Sequence, residues 1–529
     1  MVMAQGGIVA AEHPLAAQAG AVVLAKGGNA IDAAVAANAV MTVVSPMMCG
    51  VGGDLFAIVK PAEGEQLFGL NASGWAPKGL TLESLKREGL SSIPIRGVHS
   101  ITVPGCVEGW TKLLDRFGSQ SFEEVLSPAI QHAEEGFAVA EWIGRYWSGS
   151  RGLLSKQSEA AKTFLFDGDV PSVGDLVANP NMAATLKRIA KVGRDGFYRG
   201  LTADRIVSLH QSLGGKMTLE DLSEFEAEWV DTISTTYKGW TLHEIPPNGQ
   251  GIAALMMLNL MEHADLENYE HNSARALHWM IESKKLAYVD MLRFVGDRRF
   301  SEVPVESMLS KKYGRQRFGA ISSSAANCLP EPGLDVGTTP DTTYLCTVDR
   351  DGNMVSLIQS IYYGFGSGLV AEGTGFALQN RGALFSLDPN HPNVIEPRKR
   401  PLHTIIPGFL QKGDVNIAFG IMGGWNQSQA HAQFVSNLVD HGMNIQAALE
   451  APRFCKSSFA GCDVSLEARI PESVRRQLEQ LGHEIQVEAD YASLMGGGQA
   501  VMRDEKRALN FGGSDPRKDG AAIPEPISL

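Results

Sequence analysis

Long basic runs are missing from this sequence. Acidic residues outnumber basic ones by 59 to 46, and the densest positive cluster is EPRKRP, Glu396 to Pro401. Without clustered Lys and Arg there is no electrostatic footprint for a phosphate backbone, which argues against nucleic acid and for small molecules as partners. Long apolar runs are missing too. Nothing approaches the roughly 20 residues that span a bilayer, and the opening MVMAQGGIVAAEHPLAAQAG has no basic segment followed by an uninterrupted apolar one. No membrane partner is expected, and the reading is cytoplasmic.

Cysteine is scarce and unpatterned. Six occur, at positions 49, 106, 328, 346, 455 and 462, with no CxxC pair and no Cys/His cluster at zinc spacing. The expectation is six reduced, buried thiols, a reducing compartment, no metal and no cofactor. His132, His210, His271 and His278 lie on or beside helical stretches without a partner at ligand spacing, which fits core or surface roles. The familiar hydrolase signatures are also absent: no Gly-x-Ser-x-Gly elbow, no His-Glu-x-x-His, no P-loop, and DRDGN lacks the ligand pattern of a calcium loop.

What is present is a globular composition, 44% hydrophobic and 20% charged, in a chain of 529 residues. From Pro14 to Met48 an Ala-rich helical pattern breaks at Gly27-Gly28, predicting two packed helices, the second capped by Asn29 or Asp32. CGVGGDLFAIVKP then runs from glycines into a strand, with EQLFGLNASG as its hairpin partner. A phosphate-binding loop would need a helix after those glycines, so nucleotide binding is not expected. The middle of the chain is mainly helical, with Ser121 and Glu124 forming a capping box.

From Ser322 to Asp341 the pattern dissolves into Ser, Pro, Gly and Asp, predicting an exposed, mobile connector. It ends at DTTYLCTVD, a turn at RDGN, and MVSLIQSI, which together read as a β-hairpin. A threonine where a connector meets a strand suits one mechanism. Once the peptide bond before it is cut, Thr342 carries both a hydroxyl and an α-amine of ordinary pKa about 7.7 to 8.0, which can serve as its own base. The same hydroxyl could make the cut by attacking the Asp341 carbonyl. The residues alone leave an ordinary hairpin as the alternative, since Thr is a favoured strand residue.

The stretches GGNAIDAAVAANAV…SPMMCGVGGDLF, VPGCVEGW, GFYRG, IPPNGQG, KLAYVDMLRFVGD, DTTYLCTVDRDGN, FGSGLVAEGTGFALQNRGALFS, KRPLHTIIP and GIMGG, in this order, resemble the γ-glutamyltransferase (γ-glutamyltranspeptidase) family of N-terminal-nucleophile hydrolases over nearly the whole chain. The resemblance implies a four-layer αββα sandwich, made as a proenzyme that cuts itself between Asp341 and Thr342. The products would be a large subunit, 1–341, and a small subunit, 342–529, forming one catalytic domain as an αβ heterodimer; whether such units pair is left open. It implies Thr342 as nucleophile, Thr343 tuning it from behind, Ser360 contacting the new α-amine, and Gly423 and Gly424 supplying oxyanion-hole N–H groups.

The substrate end departs from the family pattern. The donor-gripping Arg falls at Thr81 or Leu82, a Ser-Ser pair becomes His403-Thr404, an Asn becomes Tyr362, a Gln becomes Arg381, and an Asp becomes Leu384. Without that Asp an ammonium loses a charge-assisted hydrogen bond of about 1.5 to 3 kcal/mol, and Arg381 would repel it. Arg381 offers instead a planar fork for a carboxylate, with Tyr362, His403 and Thr404 beside it. These segments resemble the oxamate amidohydrolase and acylase-like branches of the family, so the expected substrate is a small amide bearing a carboxylate. The run PNVIEPRKRPL lacks a lid insertion, predicting an open site that favours hydrolysis. Two other functions stay open: a γ-glutamyl hydrolase or transferase acting on glutathione or related amides, and an uncleaved binding protein.

Overall fold

The computed structural model describes residues 1–329 and 341–527, with Asp341 in its backbone only; the part of the connector from 330 to 340 lies outside them. Two seven-stranded sheets form the centre. The first runs, in spatial order, Ala521–Pro524, Ile8–Ala11, Asp341–Val348, Met354–Tyr362, Asp54–Lys60, Phe68–Ala72 and Glu228–Val230. The second runs Val2–Ala4, Leu509–Ser514, Gly498–Asp504, Val415–Ile421, Gly408–Lys412, Trp240–Glu244 and Ile233–Tyr237. Strands from before and after residue 341 interleave in both, so the chain on either side of that point cannot fold apart without leaving each sheet unpaired.

Side-chain alternation sets the layers. In the central hairpin Tyr344, Cys346, Val348, Met354 and Ile358 pack with Phe409, Ala418 and Val501 of the facing sheet, whereas Leu345, Val355, Leu357 and Ile361 join a core on the other side. Because successive strand residues point to opposite faces, a strand apolar at every position is buried on both. The outer core of the first sheet is closed by the helices Pro14–Ala25 and Ala30–Val44, and that of the second by Gly251–Met261, Ala274–Phe294 and Gln427–Val439. The result is the αββα sandwich.

Local signals act as expected. Asn29 caps the second helix and forms a capping box with Asp32; Ser121 does the same with Glu124. The glycines of CGVGGD serve packing instead of phosphate: a Cβ on Gly53 would lie 2.3 Å from the Ser360 carbonyl oxygen, so only glycine lets the backbones approach there.

Two expectations about the connector and the thiols fail. Cys328 and Cys462 form a disulfide across a separation of 134 residues, and Cys328 is exposed. The other four cysteines are free and buried. The pairing was invisible in the sequence because it depends on how the connector crosses the folded body; with it goes the cysteine argument for a reducing compartment. The described part of the connector is exposed but pinned, since Ala326 N–H donates to the Leu481 carbonyl and Gly461 N–H to that of Cys328. Among the described residues no helix is long and apolar enough to cross a membrane.

Candidate active site

The hairpin strands pair with Asp341 opposite Tyr362 and Thr343 opposite Gln359, so Thr342 faces two residues, Ser360 and Ile361. This bulge bends the end of the hairpin, as bulges do beside functional sites. By alternation Thr342 shares the inter-sheet face with Tyr344, and Ser360 shares it with Ile358. The Thr342 hydroxyl donates to Ser360 Oγ at 3.4 Å, with both residues fully buried. Thr343 points the other way, its hydroxyl 3.5 Å from the Gln359 carbonyl. The strand Asp341–Val348 runs unbroken through the Asp341–Thr342 bond, so the geometry is that of the uncut chain.

Ser360 is the junction. Its Oγ accepts from the Tyr362 N–H at 2.8 Å and from Arg381 Nη2 at 3.0 Å. Tyr362 turns the chain out of the strand with φ +82°, a left-handed conformation that costs a bulky residue strain and tends to be kept at functional sites. Arg381 opens a short 3₁₀ turn, Arg381–Leu384. Its Nη1 donates to Thr404 Oγ1 at 2.6 Å, and its guanidinium lies 4.3 Å from the centre of the Tyr362 ring. Burial lowers its pKa to about 10, partly offset by Tyr362 and by the field of Asp54; it stays cationic at neutral pH. It makes no ion pair among the described residues, and its Nε has no hydrogen-bond partner there.

Beside it, His403 pairs with Asp54. The Ile405 N–H donates to His403 Nδ1 at 3.3 Å, which makes Nε2 the protonated nitrogen, donating to Asp54 Oδ2 at 3.0 Å. Burial, reinforced by the Arg381 charge, lowers the imidazole pKa to about 4. Asp54 Oδ1 accepts from Gly74 N–H at 2.8 Å and from Gln379 Nε2 at 2.7 Å.

Gly423 and Gly424 follow the strand Val415–Ile421 in a turn where both take positive φ, +131° and +57°. Gln250 ties this turn to the rest: its Nε2 donates to the carbonyls of Thr404 and of Gly424, the latter at 2.7 Å. A continuous hydrogen-bonded path therefore runs Thr342, Ser360, Arg381, Thr404, Gln250, Gly424.

The residues brought together are thus Thr342, Ser360, Tyr362, Arg381, His403, Thr404 and the Gly423-Gly424 turn. One placement needs correction. Thr81 caps a helix, Leu82–Arg87, and Leu82 packs in a small satellite core; the early part of the chain reaches the site through Asp54 and Gly74. Leu384, which stands where the family pattern has an Asp, packs in the core of the second sheet. In the uncut chain Thr342, Ser360, Arg381 and His403 are all fully buried. Asp54, Gln250 and Gln379 were overlooked as individual residues. The signal available was their place in the quoted motifs CGVGGDLF, IPPNGQG and ALQNRG.

One group among the described residues could hold a cation. His278, Glu282 and His483 place ligand atoms within 4.8 Å of one another, correcting the view that His278 has no partner. His278 Nδ1 faces His483 Nε2 at 2.9 Å, a distance suited to a shared proton. Glu282 is already taken by Lys285 and by the Asn327 N–H. The cluster serves as a clamp on the connector.

The gamma-glutamyltranspeptidase family model matches residues 16–525. The glutathione hydrolase-like YwrD proenzyme of Bacillus subtilis is 39% identical over 521 residues, 98% of each chain. The oxamate amidohydrolase proenzyme of Klebsiella pneumoniae is 34% identical over 527 residues, again 98% of each. The crystal structure of cephalosporin acylase from Bacillus halodurans superposes with a TM-score of 0.92 at 42% identity, covering 99% of this chain and 96% of that one. A chain matched end to end in sequence and in the αββα layers belongs to the gamma-glutamyltranspeptidase family of N-terminal-nucleophile hydrolases, enzymes acting on C–N amide bonds.

Proposed function

We propose that this protein is a self-cleaving N-terminal-threonine amidohydrolase whose substrate is a small acyl amide carrying a carboxylate, of the oxamate type. The observation that carries the substrate reading is Arg381: a buried cation, one hydrogen bond from Ser360 and two from Thr342, that touches no carboxylate directly among the described residues. Asp54 offsets that charge only in part; a buried charge without a directly paired counter-ion is costly, and a ligand carboxylate would supply one through the fork that Arg presents. His403, neutral with its Nε2 proton committed to Asp54, adds no second charge. A γ-glutamyl donor would bring an ammonium to the place where Arg381 stands.

In maturation the Thr342 hydroxyl adds to the Asp341 carbonyl carbon, the C–N bond breaks, and the resulting ester is released by water. The large subunit then ends at Asp341 and the small one begins with the free amine of Thr342. In turnover that amine takes the hydroxyl proton as oxygen attacks the substrate amide. Ser360 orients the amine, Thr343 supports it from behind, and the N–H groups of Gly423 and Gly424 receive the oxyanion, a contribution of about 3 to 4 kcal/mol for one donor. The leaving amine departs protonated, and water hydrolyses the Thr342 ester.

A γ-glutamyl hydrolase or transferase is the second reading, favoured by the 39% identity to the glutathione hydrolase-like proenzyme. Ammonia release from oxamate, measured beside cleavage of glutathione and a γ-glutamyl anilide, decides between them. Turnover of oxamate alone supports the carboxylate reading, and turnover of the γ-glutamyl compounds alone overturns it.

A further inference from the structure

The disulfide lies where it matters most for a chain that cuts itself. Cys328 stands thirteen positions before Asp341, and Cys462 lies in the other piece. We propose that Cys328–Cys462 is a covalent tether between the two subunits, so that the mature enzyme is two chains joined by one disulfide. The proposal rests on cleavage before Thr342 and adds to it what happens to the cut ends.

The tether is part of a built junction. The connector from Ser322 to Cys328 is gripped on one side by the helix Ala274–Phe294: His278 Nε2 donates to the Ser322 carbonyl at 2.8 Å, Glu282 accepts the Asn327 N–H at 3.2 Å, and Lys285 donates to the Asn327 carbonyl at 3.0 Å. That helix belongs to the same piece as the connector. On the other side small-subunit backbone meets it, at Leu481 and Gly461. The disulfide is therefore the one covalent link among the described residues that crosses from piece to piece, and it does so where the connector leaves its helix.

The surroundings also suit its formation. Cys328 is exposed, so its thiolate can attack a small disulfide oxidant, break that S–S bond and expel one thiolate, leaving a mixed disulfide. Cys462 is buried, with Lys285 Nζ 3.8 Å from its sulfur. A neighbouring ammonium favours the thiolate, which attacks Cys328 Sγ and expels the second oxidant thiolate. Two protein thiols are oxidised and one external disulfide is reduced to two thiols. The other four cysteines are buried and remain free.

A tether of this kind changes how the cut protein comes apart. Two untethered subunits dissociate on unfolding, so their thermal midpoint depends on protein concentration; two tethered ones unfold as a single molecule.

The test takes the purified full-length protein through treatment with bis(2-hydroxyethyl) disulfide. Denaturing gels with and without reductant, N-terminal sequencing, and intact mass after alkylation of free thiols then read the outcome. The expected result is one species near 56.9 kDa without reductant, two pieces with it, one of them starting at Thr342, and four alkylated thiols in all. Cys462→Ser should give two pieces in both gels and a midpoint that rises with concentration, unlike the wild type. Cys328→Ser, at an exposed position, gives the same readout if the buried replacement misfolds. Two separate pieces without reductant, or six alkylated thiols, overturn the tether. A single chain under reducing conditions with four alkylated thiols overturns cleavage and the tether with it, while the pairing itself stands.

Discussion

Arg381 donates from Nη2 to Ser360 Oγ at 3.0 Å, and that same oxygen accepts the Thr342 hydroxyl at 3.4 Å. One serine oxygen thus joins the group proposed to cut and the group proposed to choose what is cut. Ser360 can hold both because it lies near the end of a fully buried strand, at the bulge opposite Thr342, where the hairpin bends away from regular pairing.

The first consequence concerns Thr342 itself. Replacing it with alanine removes the only hydroxyl proposed to attack, so Thr342→Ala should remain one uncut chain and lose turnover by at least about 10³-fold. Thr342→Ser keeps the hydroxyl and should still cut, more slowly. Intact mass and ammonia release report both, and a normally processed T342A protein would remove the assignment.

Arg381→Lys keeps the charge and gives up the fork. If a carboxylate is held by two parallel N–H donors, KM for oxamate should rise about 10- to 100-fold, the equivalent of one charge-assisted hydrogen bond, with kcat falling less. Oxamide, which lacks the carboxylate, should respond little to the change. Equal KM values for oxamate in the two proteins would mean that Arg381 is structural.

Gly53→Ala tests the close approach to the strand that carries Ser360. The added Cβ would meet the Ser360 carbonyl at 2.3 Å and Gln359 Nε2 at 2.9 Å. Overpacking of this kind costs about 1 to 3 kcal/mol, and because it displaces Ser360 it should also slow cleavage. A lowered thermal midpoint together with accumulated precursor is the expected pair of results; a variant with native stability and full cleavage contradicts the geometry.

Acid should destabilise the fold in a defined window. Burial lowers His403 to about 4, helped by Arg381, and lowers His431 to about 3, helped by Arg453, from an ordinary 6.5. Below pH 6.5 the unfolded chain binds protons that these buried rings refuse. Stability is therefore complete above about 6.5 and falls as pH drops toward 4. Each such histidine contributes a slope of up to about 1.4 kcal/mol per pH unit. Urea midpoints at pH 7, 6 and 5 measure this slope, and His403→Gln should make it shallower by about one histidine's share. Parallel curves for the two proteins would show that His403 does not carry it.

Much of this protein could be read from sequence because the relevant forces are local. The helix pair up to Val44 follows from periodicity and the Asn29 cap, and the hairpin of 341–362 from strand residues around Asp-Gly. Thr342 stood out because it sits where that hairpin meets a connector. In these places the sequence by itself determined the element, since the interactions involved span only a few residues. Only the tertiary structure could decide the others. The His403–Asp54 bond joins residues 349 apart, Gln250 meets Gly424 across 174, and Cys328 meets Cys462 across 134. Each depends on the register of two sheets and on how they face each other, a property of the whole chain that no spacing in the sequence encodes.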